Sequence, residues 1–214
     1  LYASLIFSGF FFYKPTTGPS YFYLVTYAFI IFCLLTSSTY ILNDLIDIEA
    51  DRKHPFKKNR PLPSGKLPIP IAIFAIAFCL ALVFWLSLPL PLIFKILLFA
   101  YLILQILYSI YFKQVAILDI ISIAAGFLIR VYAGAVVVNL HMSVWFLLTV
   151  ISMSLFMAVG KRQSERTLMT EHKLSFVRKS LDTYSIRLLD QYTSIFATST
   201  WITYALFAFQ NSPG

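Results

Sequence analysis

Long, unbroken apolar runs separated by short polar breaks set the pattern of this chain. A helix that crosses a bilayer needs about 20 mostly apolar residues. Runs of that kind lie at 21–42, 69–88, 92–112, 115–137, 142–160 and 190–210, with the remnant of a further one at 1–13. None shows the strict alternation of a membrane barrel strand. Backbone groups in lipid have to be satisfied within their own segment, so the pattern predicts an all-α integral membrane protein, a transmembrane helix bundle of about seven spans. Prolines sit in or at the edges of the polar breaks, where they start and stop helices rather than interrupt them.

Composition agrees. Hydrophobic residues make up 59% of the 214 residues, charged residues only 12%, and the mean hydropathy is +0.80; a soluble domain carries roughly a quarter charged residues. Cys33 and Cys79 lie inside apolar runs without a partner pattern and read as inert thiols. The chain begins at Leu1 within an apolar stretch, with no basic segment and cleavage site before it. The expectation is therefore a single transmembrane domain over 1–214, cut short at both ends and without a signal peptide.

Charge supplies the orientation. The breaks at 43–68, 113–114 and 161–189 hold all the basic residues except Lys14, Lys95 and Arg130, whereas 14–20, 89–91 and 138–141 hold only Lys14. This alternation places the basic breaks, with 43–68 and 161–189 as the two large loops, on the cytoplasmic side of the cell (plasma) membrane. A net charge of +8 raises the question of nucleic acid. No nucleic-acid-binding module is present, and in so apolar a chain Lys and Arg serve anionic lipid and phosphate groups instead.

The segment richest in chemistry follows the second run directly: Asn43-Asp44-Leu45-Ile46-Asp47-Ile48-Glu49-Ala50-Asp51-Arg52. Asp44, Asp47 and Asp51 are spaced i, i+3 and i+7, so on a helix they share one face over two turns. Stacked carboxylates repel unless a cation lies between them. Hard oxygen ligands at a membrane-side helix end suit Mg²⁺ shared with substrate phosphates. The plainer reading is a polar helix end paired with the basic residues that follow; Glu49 falls on another face and reads as a solvated bystander. The sequel, His54-Pro55-Phe56-Lys57-Lys58-Asn59-Arg60-Pro61-Leu62-Pro63-Ser64-Gly65, turns back into the next run and offers Lys58 and Arg60 to an anion. His54 reads as a loop residue.

Two further clusters follow. Tyr108 and Lys113 precede Asp119, and Arg130 lies within Gly126-Phe127-Leu128-Ile129-Arg130-Val131-Tyr132-Ala133-Gly134-Ala135. An intramembrane Arg costs at least about 2.5–3.5 kcal/mol on insertion scales, so Arg130 should face the cavity and have a partner. Asp119 shares its helix face but stands roughly 16 Å away along an unbroken helix, so a direct pair needs a break near Gly126. The bland alternative is an Arg that snorkels to the interface. The last cluster, Gly160-Lys161-Arg162, closes the run 142–160, where a helix C-terminus favours cations. Lys161 and Arg162 also read as simple topology anchors. The segment 163–189 reads as a solvated cap that includes His172.

The pattern N-D-x-x-D-x-x-x-D followed by a basic R-P-[LI]-x-x-G turn resembles the first Asp-rich motif of the UbiA prenyltransferase superfamily, intramembrane enzymes with helices around a central cavity. The resemblance implies Mg²⁺ bound by Asp44, Asp47 and Asp51, with Asn43, Arg52, Lys58, Arg60, Tyr108, Arg130, Lys161 and Arg162 on the substrates. It also implies direct catalytic parts for Asp44, Asp47, Asp119 and Lys113. Most members carry D-x-x-x-D at the second motif, whereas here Asp119 is followed by Ile123. With Y-S-x-x-x-K, G-F-x-x-R-x-x-A-G-A and F-M-x-x-G-K-R, the chain is most similar to the phosphoribosyltransferase branch. That implies transfer of a 5-phosphoribosyl group from phosphoribosyl pyrophosphate to a polyprenyl (decaprenyl) phosphate, with release of pyrophosphate, as in cell wall biosynthesis. Members of that branch begin with an R-P-x-Q-W-x-K-N segment and end with two further helices. The alternative within the superfamily moves a polyprenyl group from its diphosphate to an aromatic acceptor. An alternative outside it, a cation transporter, would distribute its acids through the membrane depth instead of gathering them at one face.

Overall fold

The computed structural model describes residues 20–53, 57–171 and 183–211, so the expected span remnant at 1–13, His54 and residues 172–182 of the expected cap lie outside the described residues. All regular structure among the described residues is helical. Its helices are α1 (Ser20–Ile46), α2 (Ile48–Lys53), α3 (Ile69–Ser87), α4 (Leu92–Ile110), α5 (Leu118–Val137), α6 (Val144–Glu171) and α7 (Ile186–Asn211), with single 3₁₀ turns at Lys57–Asn59 and Phe112–Gln114. Five of them, α1 and α3 to α6, are long and apolar enough to cross a membrane. α7 is less apolar and is not among these five, so the described spans fall short of about seven. Five of its hydroxyls are satisfied within the helix: Thr193, Ser194, Thr198, Thr200 and Thr203 each donate to the carbonyl four residues earlier.

Two expected breaks are shorter than the sequence suggested. α6 does not end at 160 but continues as helix to Glu171, and α7 begins at Ile186. The polar stretch after Gly160 stays in the same α-helix, and there Ser164 Oγ donates to the Gly160 carbonyl at 3.0 Å. Likewise 43–53 is not an irregular loop. The helix pauses only at Asp47, whose N–H still reaches the Asn43 carbonyl at 3.0 Å, and Asp51 N–H reaches the Asp47 carbonyl at 2.8 Å.

The chain divides into two compact units, residues up to Ile110 with Tyr132–Asn139, and Tyr111–Val131 with Leu140 onward. In the first, α1 buries Val25, Ala28, Phe32 and Leu35 along one face and packs on α3 and α4. Phe32 meets Phe94 and Tyr101 edge-on at 5.8 and 5.7 Å, and Tyr27 Oη donates to the Leu86 carbonyl at 2.6 Å. α3 starts at Pro68 and Pro70, where a missing N–H leaves nothing unsatisfied. Its outward side chains, Phe74, Phe78, Phe84 and Trp85, are exposed, as a lipid-facing helix requires.

In the second unit α6 packs along α7. Ile120, Ala158, Val159, Tyr184 and Leu189 form a buried cluster. Ser185 caps α7, its Oγ accepting the Leu188 N–H at 3.0 Å. Tyr184 before the cap and Leu189 in the first turn enter the same core, the arrangement of a hydrophobic staple.

Candidate functional site

The Asp-rich end of α1 and the turn that follows form one braced structure. Arg60 N–H bonds the Lys57 carbonyl at 3.0 Å, Ser64 N–H the Arg60 carbonyl at 3.0 Å, and Leu67 N–H the Pro61 carbonyl at 2.9 Å. Gly65 takes a φ of +79°, a region a side chain rarely enters. Arg52 Nε, from α2, donates to the Pro63 carbonyl at 3.2 Å and ties the turn back to the helix. The brace sets Arg60 against the carboxylates: Nη1 lies 2.7 Å from Asp44 Oδ1 and 3.2 Å from Asp51 Oδ2. Lys57 Nζ stands 3.9 Å from the other oxygen of Asp51, which is buried.

This geometry alters the expected metal set. Among the described residues no three Asp, Glu, His or Cys side chains converge so as to hold a metal by themselves. Asp44, Asp47 and Asp51 are therefore not a ready-made trio, because the Arg60 guanidinium fills the space between Asp44 and Asp51. The donor set nevertheless fits a hard cation. Asn43 Oδ1 is buried and has no hydrogen-bond partner, an acceptor left open on the residue that precedes Asp44. Mg²⁺ uses one or two protein carboxylates and takes the rest of its shell from water and phosphate. Lys58 is exposed on the 3₁₀ turn, and Tyr108 is half-buried near the end of α4.

The second unit gathers a different cluster. Asp119, in the first turn of α5, and Arg162, on α6, are both 0% exposed. Arg162 Nε lies 2.9 Å from Asp119 Oδ2, out of hydrogen-bond alignment, so the contact is ionic and not directed. Arg162 Nη1 also bonds Glu165, one turn further along α6. Asp119 Oδ1 accepts the Ile120 N–H at 2.8 Å and the Tyr184 hydroxyl at 2.6 Å. Asp119 Oδ1 is thus hydrogen-bonded within the protein, while Oδ2 meets only the charge of Arg162. Lys113 is buried on the neighbouring 3₁₀ turn.

Arg130 does not pair with Asp119. α5 runs without a break, and Arg130 Nε donates to the Gly126 carbonyl of its own helix at 2.9 Å, with the guanidinium carbon 4.9 Å from the centre of the Phe127 ring. It is buried, so it does not snorkel. Lys161, by contrast, is exposed.

Two participants escaped the motif reading: Glu165 as a second carboxylate for Arg162, and Tyr184 as the bridge to Asp119. Tyr184 did carry a readable signal, since Tyr-Ser-Ile-Arg-Leu-Leu places an apolar residue, a Ser cap and a Leu at staple spacing. Burial and the bond to the Asp119 carboxylate raise its pKa above the ordinary 10.0.

Five helices long and apolar enough to span a membrane and an Asp-rich helix end mark a polytopic membrane protein, and the chain belongs to the UbiA prenyltransferase family, which it matches over residues 3–211. It is 39% identical over 190 residues to the decaprenyl-phosphate phosphoribosyltransferase of Mycolicibacterium smegmatis, covering 86% of this chain and 58% of that protein. It is 36% identical over 194 residues to the protein of that name from Corynebacterium glutamicum, covering 88% and 57%. The chain thus spans a little over half the length of these curated relatives. In fold it is similar to a UbiA homolog from Archaeoglobus fulgidus bound to DMAPP and Mg²⁺, with a TM-score of 0.72 over 97% of this chain and 71% of that one, at 17% identity.

Proposed function

We propose that this protein transfers a 5-phosphoribosyl group from phosphoribosyl pyrophosphate to a polyprenyl phosphate, with Mg²⁺, at the cytoplasmic face of the plasma membrane. The observation that carries the reading is the Arg60 guanidinium held between Asp44 and Asp51, with the open Asn43 oxygen on the residue before Asp44. That is a site balanced between cation and anion, which a metal-bound diphosphate would complete. The activity named for the relatives supports the choice of donor and acceptor.

In this reading Asn43, Asp44 and Asp51, with Asp47 on the same helix face, would hold Mg²⁺, and the ion would supply positive charge to the pyrophosphate leaving group. Arg60 turns from the carboxylates to the diphosphate, where its planar fork gives two parallel bonds. Lys58 adds a point charge, and Arg52 keeps the turn in place. The bond from ribose C1 to the pyrophosphate oxygen breaks, an oxygen of the lipid phosphate bonds C1 from the opposite face, and pyrophosphate leaves. No residue forms a covalent intermediate. Lys113, Tyr108, Arg130 and Lys161 are proposed for the 5-phosphate, the ribose hydroxyls and the acceptor phosphate, and Arg162 and Asp119 for fixing their surroundings.

The test uses the complete membrane protein in nanodiscs with phosphoribosyl pyrophosphate labelled in the ribose, decaprenyl phosphate and Mg²⁺. Label should pass into the lipid extract and stop when EDTA is added. If the lipid stays unlabelled, while prenyl diphosphate and an aromatic acid give a prenylated product, the reading is wrong and the prenyltransferase alternative holds.

A further inference from the structure

Ile117 has a φ of +71°. A β-branched residue rarely enters that region, and a strained residue of this kind costs on the order of 1–3 kcal/mol and persists only where its surroundings hold it. Its side chain is exposed, so packing does not do the holding. The restraint is a hydrogen bond: Ile117 N–H donates to Tyr184 Oη at 2.6 Å. An amide can only donate, so the hydroxyl accepts there and its single proton goes to Asp119 Oδ1, also at 2.6 Å. Tyr184 is 1% exposed and fixed from its other side by the staple with Leu189. One buried hydroxyl thus joins the start of α7, the strained turn before α5, and the carboxylate paired with Arg162.

The segment so pinned also carries Lys113. The 3₁₀ turn Phe112–Gln114 closes through Val115 N–H on the Phe112 carbonyl at 3.1 Å, and Asp119 N–H then bonds the Val115 carbonyl at 3.2 Å. Between these two bonds Ile117 is the residue whose backbone conformation is forced. Without the Tyr184 oxygen, its N–H would lose its partner and the turn would relax towards negative φ. That shift would move Lys113 and rotate Asp119 relative to Arg162.

The geometry points to Tyr184 as a positioning residue, which sets the 111–119 turn and the Asp119–Arg162 pair in the register that group transfer requires. The inference deepens the phosphoribosyl-transfer reading and rests on it for the activity readout, but the clamp itself has an independent one. In the complete membrane protein, Tyr184→Phe keeps the ring and removes the hydroxyl. Hydrogen exchange at the Ile117 amide should then quicken about tenfold or more, the scale of a lost bond in a charge-linked network. The kcat with labelled donor should fall about tenfold, with KM for the lipid acceptor little changed. Adding Ile117→Gly to Tyr184→Phe should restore most of kcat, because glycine holds a positive φ without help; a Tyr184 that only filled the core would not be rescued from position 117. Unchanged exchange overturns the clamp, and unchanged kcat or absent rescue overturns the positioning part. A wild-type protein that transfers no label sinks the functional reading alone, since exchange still reports on the clamp. If Tyr184→Phe does not fold, Ile117→Gly by itself should retain both protection at residue 117 and kcat, and loss of either counts against the proposal.

Discussion

Arg60 donates to Asp44 across 2.7 Å, a bond between the turn that opens α3 and the last turn of α1. Arg60 is 42% exposed on its side chain, so the pair adds little to stability, about 0–1 kcal/mol. Its value is in what it is ready to do. Arg60→Gln should leave the melting temperature close to wild type and raise KM for phosphoribosyl pyrophosphate about tenfold or more, the loss of a bidentate charged contact. Arg60→Lys should recover only part of this, because a point charge lacks the fork. Steady-state kinetics with both variants check it, and a KM unaffected by Arg60→Gln would remove Arg60 from the donor site.

Asn43 gives the opposite signature. Its Oδ1 is buried with no hydrogen-bond partner, and an unsatisfied buried polar atom costs about 1–3 kcal/mol. Asn43→Leu, close in shape and without that atom, should therefore raise the melting temperature of the metal-free protein. The same change should abolish the stabilisation that Mg²⁺ with pyrophosphate gives the wild type. Thermal shift with and without those ligands decides. If Mg²⁺ with pyrophosphate stabilises the Leu variant as much as wild type, Asn43 is not a ligand.

Asp119 and Arg162 are fully buried, and breaking one side of such a pair leaves an uncompensated charge at a cost of about 3–5 kcal/mol. The two single changes should not be equal. After Arg162→Gln, the Asp119 carboxylate keeps only the Tyr184 hydroxyl and the Ile120 N–H. After Asp119→Asn, Arg162 still has Glu165. Arg162→Gln should thus be the more destabilising, and the double variant should cost less than the sum. Denaturation of all three proteins in one detergent measures this; strict additivity would show that the two charges do not interact.

The apolar runs announced the helices because hydropathy is a local property, and α3, α4 and α5 begin and end within a few residues of their runs. Polar helix ends were harder to read. α6 continues through Lys161 and Arg162 because that stretch packs on α7, and packing between distant segments leaves no local trace. The same holds at the site. Spacing alone put Asp44, Asp47 and Asp51 on one face, but the guanidinium between two of them arrives from 16 residues downstream of Asp44 through a turn braced by Arg52. Arg130 illustrates the opposite case. Its need for a partner followed from insertion cost, yet two of its contacts, the Gly126 carbonyl and the Phe127 ring, lie on its own helix, and α5 runs without a break.

Alkaline stability offers a last test of the buried hydroxyl. Burial and the Asp119 carboxylate raise the Tyr184 pKa above 10.0, with the Ile117 N–H and the Arg162 charge acting the other way. The folded protein therefore keeps a proton that the unfolded chain gives up near pH 10. The stability this confers is complete below that pH and is lost as pH rises through the folded value. Between pH 9 and 11 the wild type should lose stability more steeply than Tyr184→Phe, which has no proton to release at this position. Lysine titration, common to both proteins, cancels in the difference. Parallel slopes would mean that Tyr184 ionises as freely in the folded protein as in the unfolded chain, which a hydroxyl held between Ile117 and Asp119 does not allow.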